Sequence, residues 1–268
     1  MKQLFNITSD GSQTEDLLIC ELSHYHICLA GADAVGVLTW LQYFEKKTPL
    51  TQADVSSLLQ QEAMGAKRAK SLLIGSAFPD ATLVPRSLAT EKGLDTFIKQ
   101  SIQDNVFIDD VAEQDLQVVY TIPSSFYNLL AQQNNSRTMH VHTAAIKMLP
   151  TNAGNFIGLH FTSKEFRLLA VKNGEVQLAQ IYPFTAPLDV VYYLLMISAQ
   201  CGMPQSETVV EMSGLVDESS ALYKEIYQYY TQVQLAAPSQ YEWHHSEYQP
   251  HFFSSIFNLA ACASSVVS

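Results

Sequence analysis

Four residues within one short stretch have the chemistry to hold a metal ion: Cys20, His24, His26 and Cys28. Zinc takes thiolate and imidazole ligands tetrahedrally. A reversal of the chain near His24 would set Cys20 roughly across from Cys28. Zinc knuckles, however, bring their ligands in from tight turns, and these four fall in runs that read as extended strands. The plainer reading is two small core thiols and two histidines near a turn. His140 and His142 would share a face if their segment is extended, and His244, His245 and His251 sit in a polar, aromatic stretch near the C-terminus. A surface loop is the expectation for all five. Gly-x-Ser-x-Gly does not occur, and a serine–histidine–acid triad built from distant positions has nothing to select its members. Gly-x-Gly-x-x-Gly and the Walker pattern are also missing, so the common dinucleotide and phosphate-loop readings lose support.

The totals narrow the classes further. With 268 residues the chain suffices for one large domain or two lobes. Charged residues make up 15%, against ~25% in a typical globular protein. So low a charge points to a well-filled core and to surface covered by a protein partner or a second copy. The net charge of −11 argues against a nucleic-acid partner, and the densest basic stretch is only Lys67, Arg68 and Lys70. The opening Met1 to Asn6 lacks the features of a secretory signal, and no run reaches the ~18 uncharged apolar residues of a membrane helix. The expectation is a cytoplasmic protein with reduced thiols at Cys20, Cys28, Cys201 and Cys262, no membrane span and no metal.

The elements that must position these residues come in two sets. Asp16 to Leu22, Tyr25 to Gly31 and Val35 to Tyr43 are apolar runs at hairpin spacing. A helix capped by Thr51 follows, with Leu58, Leu59 and Met64 on its apolar side. Ser71 to Ile74 and Ala81 to Val84 read as strands, Glu91 to Ile102 as a short helix. Gln117 to Ile122 reads as a strand buried on both faces, and Pro123 and Ser124 open a helix. Met139 to Lys147 reads as a strand running into a helix.

The opening pattern then returns. Asn155 to Phe161, Phe166 to Val171 and Val176 to Tyr182 are strands, the last two joined by a tight turn at Asn173-Gly174. Helix Pro187 to Gln200, strand Thr208 to Met212, helix Glu218 to Tyr230 and strand Val233 to Ala236 complete the set. On that helix Tyr223, Tyr227 and Tyr230 share one face. The fold expected is α/β and duplicated: two lobes, 1–150 and 151–268, each a mixed sheet with flanking helices.

This repeated order resembles the actin-like, ribonuclease H-like ATPase fold of actin, sugar kinases and heat-shock chaperone ATPase domains. Residues 160–174 have the length and rhythm of the second phosphate hairpin of that fold, and Glu21-Leu22-Ser23 stands at the equivalent place in the first. Val209 to Gly214 looks like the strand and glycine turn that flank adenosine. Phe78-Pro79-Asp80-Ala81-Thr82-Leu83-Val84-Pro85 and Val118-Val119-Tyr120-Thr121-Ile122-Pro123 resemble an uncharacterised bacterial family of unknown function with this fold.

The resemblance implies an ATP and Mg²⁺ site at Glu21, Ser23, His160, Thr162, Ser213 and Gly214. Active members use Asp-x-Gly in each hairpin: the glycine lets amide groups approach phosphate, and the acid orders the hydrated Mg²⁺. Here Glu21 and His160 stand for the acids and Ser23 and Thr162 for the glycines. Lys164 and Arg167 are the nearest cations. Both glycines and one carboxylate are lost, so no bound cofactor is expected beyond weak nucleotide contact at Gly214. Two function classes follow. One is a non-catalytic binding or scaffold protein, by analogy with pilus-assembly and cell-division members of the fold. The other is an ATP-dependent phosphotransferase or ATPase with atypical loops. The stretch Tyr241-Glu242-Trp243-His244-His245 is the expected contact surface.

Overall fold

The apolar runs that open each half fold as consecutive antiparallel strands. The computed structural model describes residues 1–7, 16–33, 36–61, 69–89, 104–131, 135–150, 153–237 and 247–264. In the first half these runs are β2 (Leu17–Leu22), β3 (His26–Ala32) and β4 (Leu38–Glu45), and an unforeseen β1 (Lys2–Ile7) pairs with β4. β5 (Ser71–Ser76) runs parallel to β2, and β9 (Ser136–His140) runs parallel to β5. In the second half β10 (Phe156–Phe161), β11 (Glu165–Lys172) and β12 (Glu175–Pro183) are antiparallel, while β13 (Val209–Gly214) and β14 (Gln232–Leu235) run parallel. The sheet orders are β1-β4-β3-β2-β5-β9 and β12-β11-β10-β13-β14. With β1 set aside, they are the same order in the same directions. A smaller antiparallel sheet belongs to the first half alone: β6 (Ala81–Pro85), β8 (Leu116–Pro123) and β7 (Asp104–Val111), in that order. Residues 118–122 of β8 are buried as expected, but within this central antiparallel strand and not in a parallel sheet.

Two compact units result. The first comprises Met1–Ala144 and Ile256–Ser268, the second Ala145–Gln240 and Ser246–Ser255. The helices are α1 (Gln52–Gln61), α2 (Ser124–Leu130), α3 (Val141–Lys147), α4 (Pro187–Cys201), α5 (Ala221–Tyr227) and α6 (Ser254–Ser264), the last returning to the first unit from Ile256 on.

Their ends follow from local chemistry. Thr51 Oγ1 accepts the Asp54 amide at 3.3 Å while Asp54 Oδ2 accepts the Thr51 amide at 2.8 Å, a reciprocal cap for α1. Bonds from Lys46 and Thr51 hold the Asp54 carboxyl down to about 2. α4 begins on Pro187, and Asp189 accepts from the Thr185 and Ala186 amides at 2.8 and 2.9 Å. It ends at Gly202, whose φ of +62° suits glycine at a helix C-terminus. Val190, Leu194 and Ile197 of α4 join Leu159, Phe166, Leu168 and Met212 in the core of the second unit. Asn173 and Gly174, at φ +53° and +82°, make the expected tight turn. Among the described residues no helix is long and apolar enough to cross a membrane.

Three expectations need correction. The helix foreseen through Tyr230 stops at Tyr227, with Ser220 capping its start. Tyr223 and Tyr227 share the expected face, their rings stacked at 6.1 Å, but Tyr230 leaves it: Tyr227 is 57% exposed, whereas Tyr230 is buried with its hydroxyl 2.7 Å from Ser198 Oγ. His140 and His142 are buried and share no strand face, because the strand gives way to α3 between them. His140 Nε2 donates to the Phe78 carbonyl at 3.1 Å, while Asp109 accepts the His140 amide and the Thr143 hydroxyl, each at 2.7 Å.

His251 is also buried, its Nε2–H donating to the Val216 carbonyl at 2.7 Å. Burial lowers its pKa below the ordinary 6.5 against the opposing pull of Asp217 and Glu218. Stability from the neutral ring is therefore complete above about 6.5 and is lost as pH falls below it. His251→Gln keeps an amide donor for Val216 but cannot take the proton. Its melting temperature should decline less steeply on acidification than the parent's, and identical slopes would refute the assignment. The expected helix Glu91 to Ile102, Met64, Lys67, Arg68 and the stretch Tyr241 to His245 lie outside the described residues.

Candidate functional site

The two hairpins resembling phosphate loops can be superposed residue for residue by their pairings. Ser23 donates its amide to the His26 carbonyl at 3.0 Å, and Thr162 donates its amide to the Glu165 carbonyl at 2.9 Å. Glu21 pairs with Cys28 across the first hairpin, as His160 does with Arg167 across the second. On the other side Glu21 and Leu22 lie beside Gly75 and Ser76 of β5, as His160 and Phe161 lie beside Ser213 and Gly214 of β13. Glu21 thus corresponds to His160, Ser23 to Thr162 and His26 to Glu165. All four hairpin positions singled out in the sequence occupy matched places, two in each unit.

Each hydroxyl turns back onto its own loop. Ser23 Oγ accepts from the amides of Tyr25 and His26, both at 3.1 Å, and Thr162 Oγ1 accepts from Lys164 and Glu165 at 3.4 and 3.1 Å. This is a serine/threonine turn, in which the side chain replaces a backbone partner. The same amides are the ones a glycine at that position would leave pointing outward.

The acid positions are engaged as well. Ser23 Oγ lies 2.7 Å from His26 Nδ1, and His26 Nε2 lies 3.0 Å from Glu21 Oε1. Ser23 already accepts two amides, so its own proton goes to Nδ1, which leaves Nε2–H to donate to the Glu21 carboxylate. The three residues are 1–2% exposed, and His26 stacks on Tyr43 at 5.3 Å. The row serine–histidine–glutamate has the members of a nucleophilic triad. Here the serine is buried and its hydroxyl oxygen serves as the acceptor of its own turn. In the second hairpin Ser213 Oγ donates to the Leu159 carbonyl at 3.0 Å, so it accepts from His160 Nδ1 at 3.0 Å. Burial raises the Glu165 pKa, with Arg167 pulling the other way, and Arg167 donates to Ser255 Oγ.

Gly214 is explained by its own strand. Its φ is +77°, and a Cβ built there would meet the Phe161 carbonyl oxygen at 2.2 Å. The residue lets β13 close against β10, where the Leu215 amide donates to Phe161 at 2.8 Å.

The zinc reading fails on register. Cys20 pairs with Leu29 while Cys28 pairs with Glu21, one residue off the expected pairing. Paired residues share a face and neighbours alternate, so the two sulfurs lie on opposite faces. Burial, then the charge of Glu21, pushes the Cys20 thiol up to about 12. Among the described residues no group of three or more His, Cys, Asp or Glu is placed to hold a metal ion. The sequence reading missed the Glu21–His26 pair as a pair. The signal was present in the alignment of the hairpins, Glu-x-Ser-x-x-His against His-x-Thr-x-x-Glu, where a hydroxyl recurs at the same position.

A duplicated five-strand sheet with matched hairpins defines an actin-like ATPase fold. The structure is similar to a Bacteroides thetaiotaomicron protein with that fold and unknown function, at TM-score 0.73 and 18% identity over 86% of this chain and 94% of that one. It is similar also to a chain of the PilM–PilN type IV pilus biogenesis complex, at 0.66 and 11% over 94% and 99%. A third likeness is the ethanolamine utilization protein EutJ of Carboxydothermus hydrogenoformans, at 0.51 and 10% over 95% and 92%. At such identities the likeness establishes the fold and nothing finer. Residues 15–233 match the family described as protein of unknown function (DUF3822), and the chain belongs to it. No curated protein matches the chain in sequence.

Proposed function

We propose that this protein is a non-catalytic binding or scaffold protein, built on an ATPase fold whose two phosphate hairpins are closed by their own side chains. The observation that carries the reading is the pair of hydroxyls, Ser23 and Thr162, bonded to the turn amides at 25–26 and 164–165. A phosphate at either hairpin would have to displace that hairpin's own hydroxyl; at the first it would meet Glu21 already engaged by His26, and at the second a histidine in the acid position. Histidine is a poor Mg²⁺ ligand, since Mg²⁺ prefers oxygen. The net charge of −11 adds to the cost of holding a triphosphate.

The partner is a protein. One solved structure of similar fold is a chain of the PilM–PilN type IV pilus biogenesis complex, and work within a protein complex suits this chain. We place that work in the bacterial cytoplasm, where buried thiols such as Cys20 and Cys28 stay reduced.

Calorimetric titration of the nucleotide-free protein with ATP, with and without Mg²⁺, tests the reading. No heat and an unchanged melting temperature are expected for the parent. The double variant Ser23→Gly, Thr162→Gly releases the turn amides and should bind ATP·Mg²⁺ more tightly than the parent. Mg²⁺-dependent binding by the parent, lost in Glu21→Gln, would instead favour an ATP-dependent phosphotransferase or ATPase with atypical loops.

A further inference from the structure

One helix of the second unit turns an apolar side to solvent. α4 sinks Val190, Leu194 and Ile197 into the core. The opposite side of such a helix is normally polar. Here Leu188 and Tyr192 are 60% and 63% exposed, Ala199 is exposed and Leu195 is half-buried. From Val190 to Ser206 the chain carries no charged residue. The intervals 188–192, 192–195 and 195–199 set these four side chains in one stripe along the helix, at the spacing of a coiled-coil seam.

The stripe is its own complement. An antiparallel pair of α4 helices, about a two-fold axis midway between Tyr192 and Leu195, sets Leu188 of each copy against Ala199 of the other and Tyr192 against Leu195. Large faces small at the ends, and aromatic faces aliphatic beside the axis, so the layers interdigitate.

Charge selects the same occupant and the same direction. Asp189 lies in the first turn of α4, and at the far end Lys172 Nζ donates to the Cys201 carbonyl at 2.8 Å. An antiparallel pair brings the acidic end of each helix toward the basic end of the other and sets the two helix dipoles head to tail. A parallel pair would bring Asp189 toward Asp189 and Lys172 toward Lys172. In a chain of net charge −11, an uncharged face is also where two copies approach with least repulsion.

We infer that two copies of this chain associate through the outer stripes of α4, antiparallel, about that axis. The contact is isologous, since the same patch serves both copies. α4 has 15 residues, so the seam is ~22 Å long. That is small for an interface, where ~800 Å² per partner is standard, and the dimer dissociates on dilution. The pairing holds whether or not the hairpins take nucleotide.

Sedimentation velocity of the full chain over a wide range of loading concentrations tests it. The parent should pass from monomer to dimer as concentration rises. Tyr192→Glu sets a charge against Leu195 of the other copy and should weaken self-association roughly tenfold or more. Leu188→Glu and Ala199→Lys should each weaken it too. The double variant Leu188→Glu, Ala199→Lys faces Glu with Lys at both ends of an antiparallel pair and should dimerise more tightly than either single variant. Unchanged melting curves would show that the variants are folded. A parent that stays monomeric, a Tyr192→Glu variant that associates as the parent does, or a double variant no tighter than the single ones would each overturn the pairing. The first is also the result expected if the stripe is covered by a different protein.

Discussion

Gly214→Ala should lower the unfolding free energy by about 4 kcal/mol, a loss reserved for substitutions that force backbone apart. Two independent costs meet at this residue. A φ of +77° is unfavourable for any residue with a Cβ, by about 1–2 kcal/mol. The added carbon would also stand 2.2 Å from the Phe161 oxygen and 2.7 Å from the Phe161 nitrogen. Both are backbone atoms of the central strand β10, which cannot swing aside as the end of a side chain can. Relief requires β13 to move off β10, with loss of the Leu215–Phe161 bond. Urea denaturation reads the effect directly. A cost under about 1 kcal/mol would mean that the strand end relaxes freely, and Gly214 would return to consideration as a ligand-facing turn.

The second large effect concerns the buried Glu21–His26 pair. His26→Ala should cost about 3 kcal/mol, because it strips a buried carboxylate of a charge-assisted donor and leaves space beside Tyr43. Glu21→Gln should cost only about 1 kcal/mol, since the amide oxygen still accepts from Nε2–H at the same place. The inequality is the test. Were the two variants equally damaging, the carboxylate charge itself would carry the site, and the scaffold reading of the first hairpin would weaken. The order expected, His26→Ala far worse than Glu21→Gln in denaturant midpoint with unaltered partner binding for Glu21→Gln, marks the pair as internal bracing.

Much of the fold was legible because its signals are local. Asn173-Gly174 fixes a turn through positive φ, Pro187 starts a helix, and Thr51 caps one. Each works within four residues, where sequence distance and spatial distance coincide. The repeat was legible too, because two sets of three apolar runs read alike. Less local features were not. β1 pairs with β4 across more than thirty residues and carries only a weak alternation. β7 is charged at Asp104, Asp109 and Asp110 and becomes a strand by pairing with β8. α5 ends three residues early because Tyr230 reaches Ser198 on another helix, a contact that outweighs continued helical spacing.

The candidate site divides along the same line. Residue types alone determined that one hairpin carries Glu21 and Ser23 and the other His160 and Thr162, since that is a matter of composition at named positions. They determined also that the chain is acidic and repeats its opening pattern. Only the tertiary structure decided where the remaining polar groups turn. A one-residue register separates Cys20 from Cys28, because alternate residues of a strand face opposite ways. Whether Ser23 faces outward or caps its own turn depends on a few ångströms of side-chain geometry. That geometry is set by how β2, β3 and β5 pack around Glu21 and His26, a sum over contacts distant in the chain.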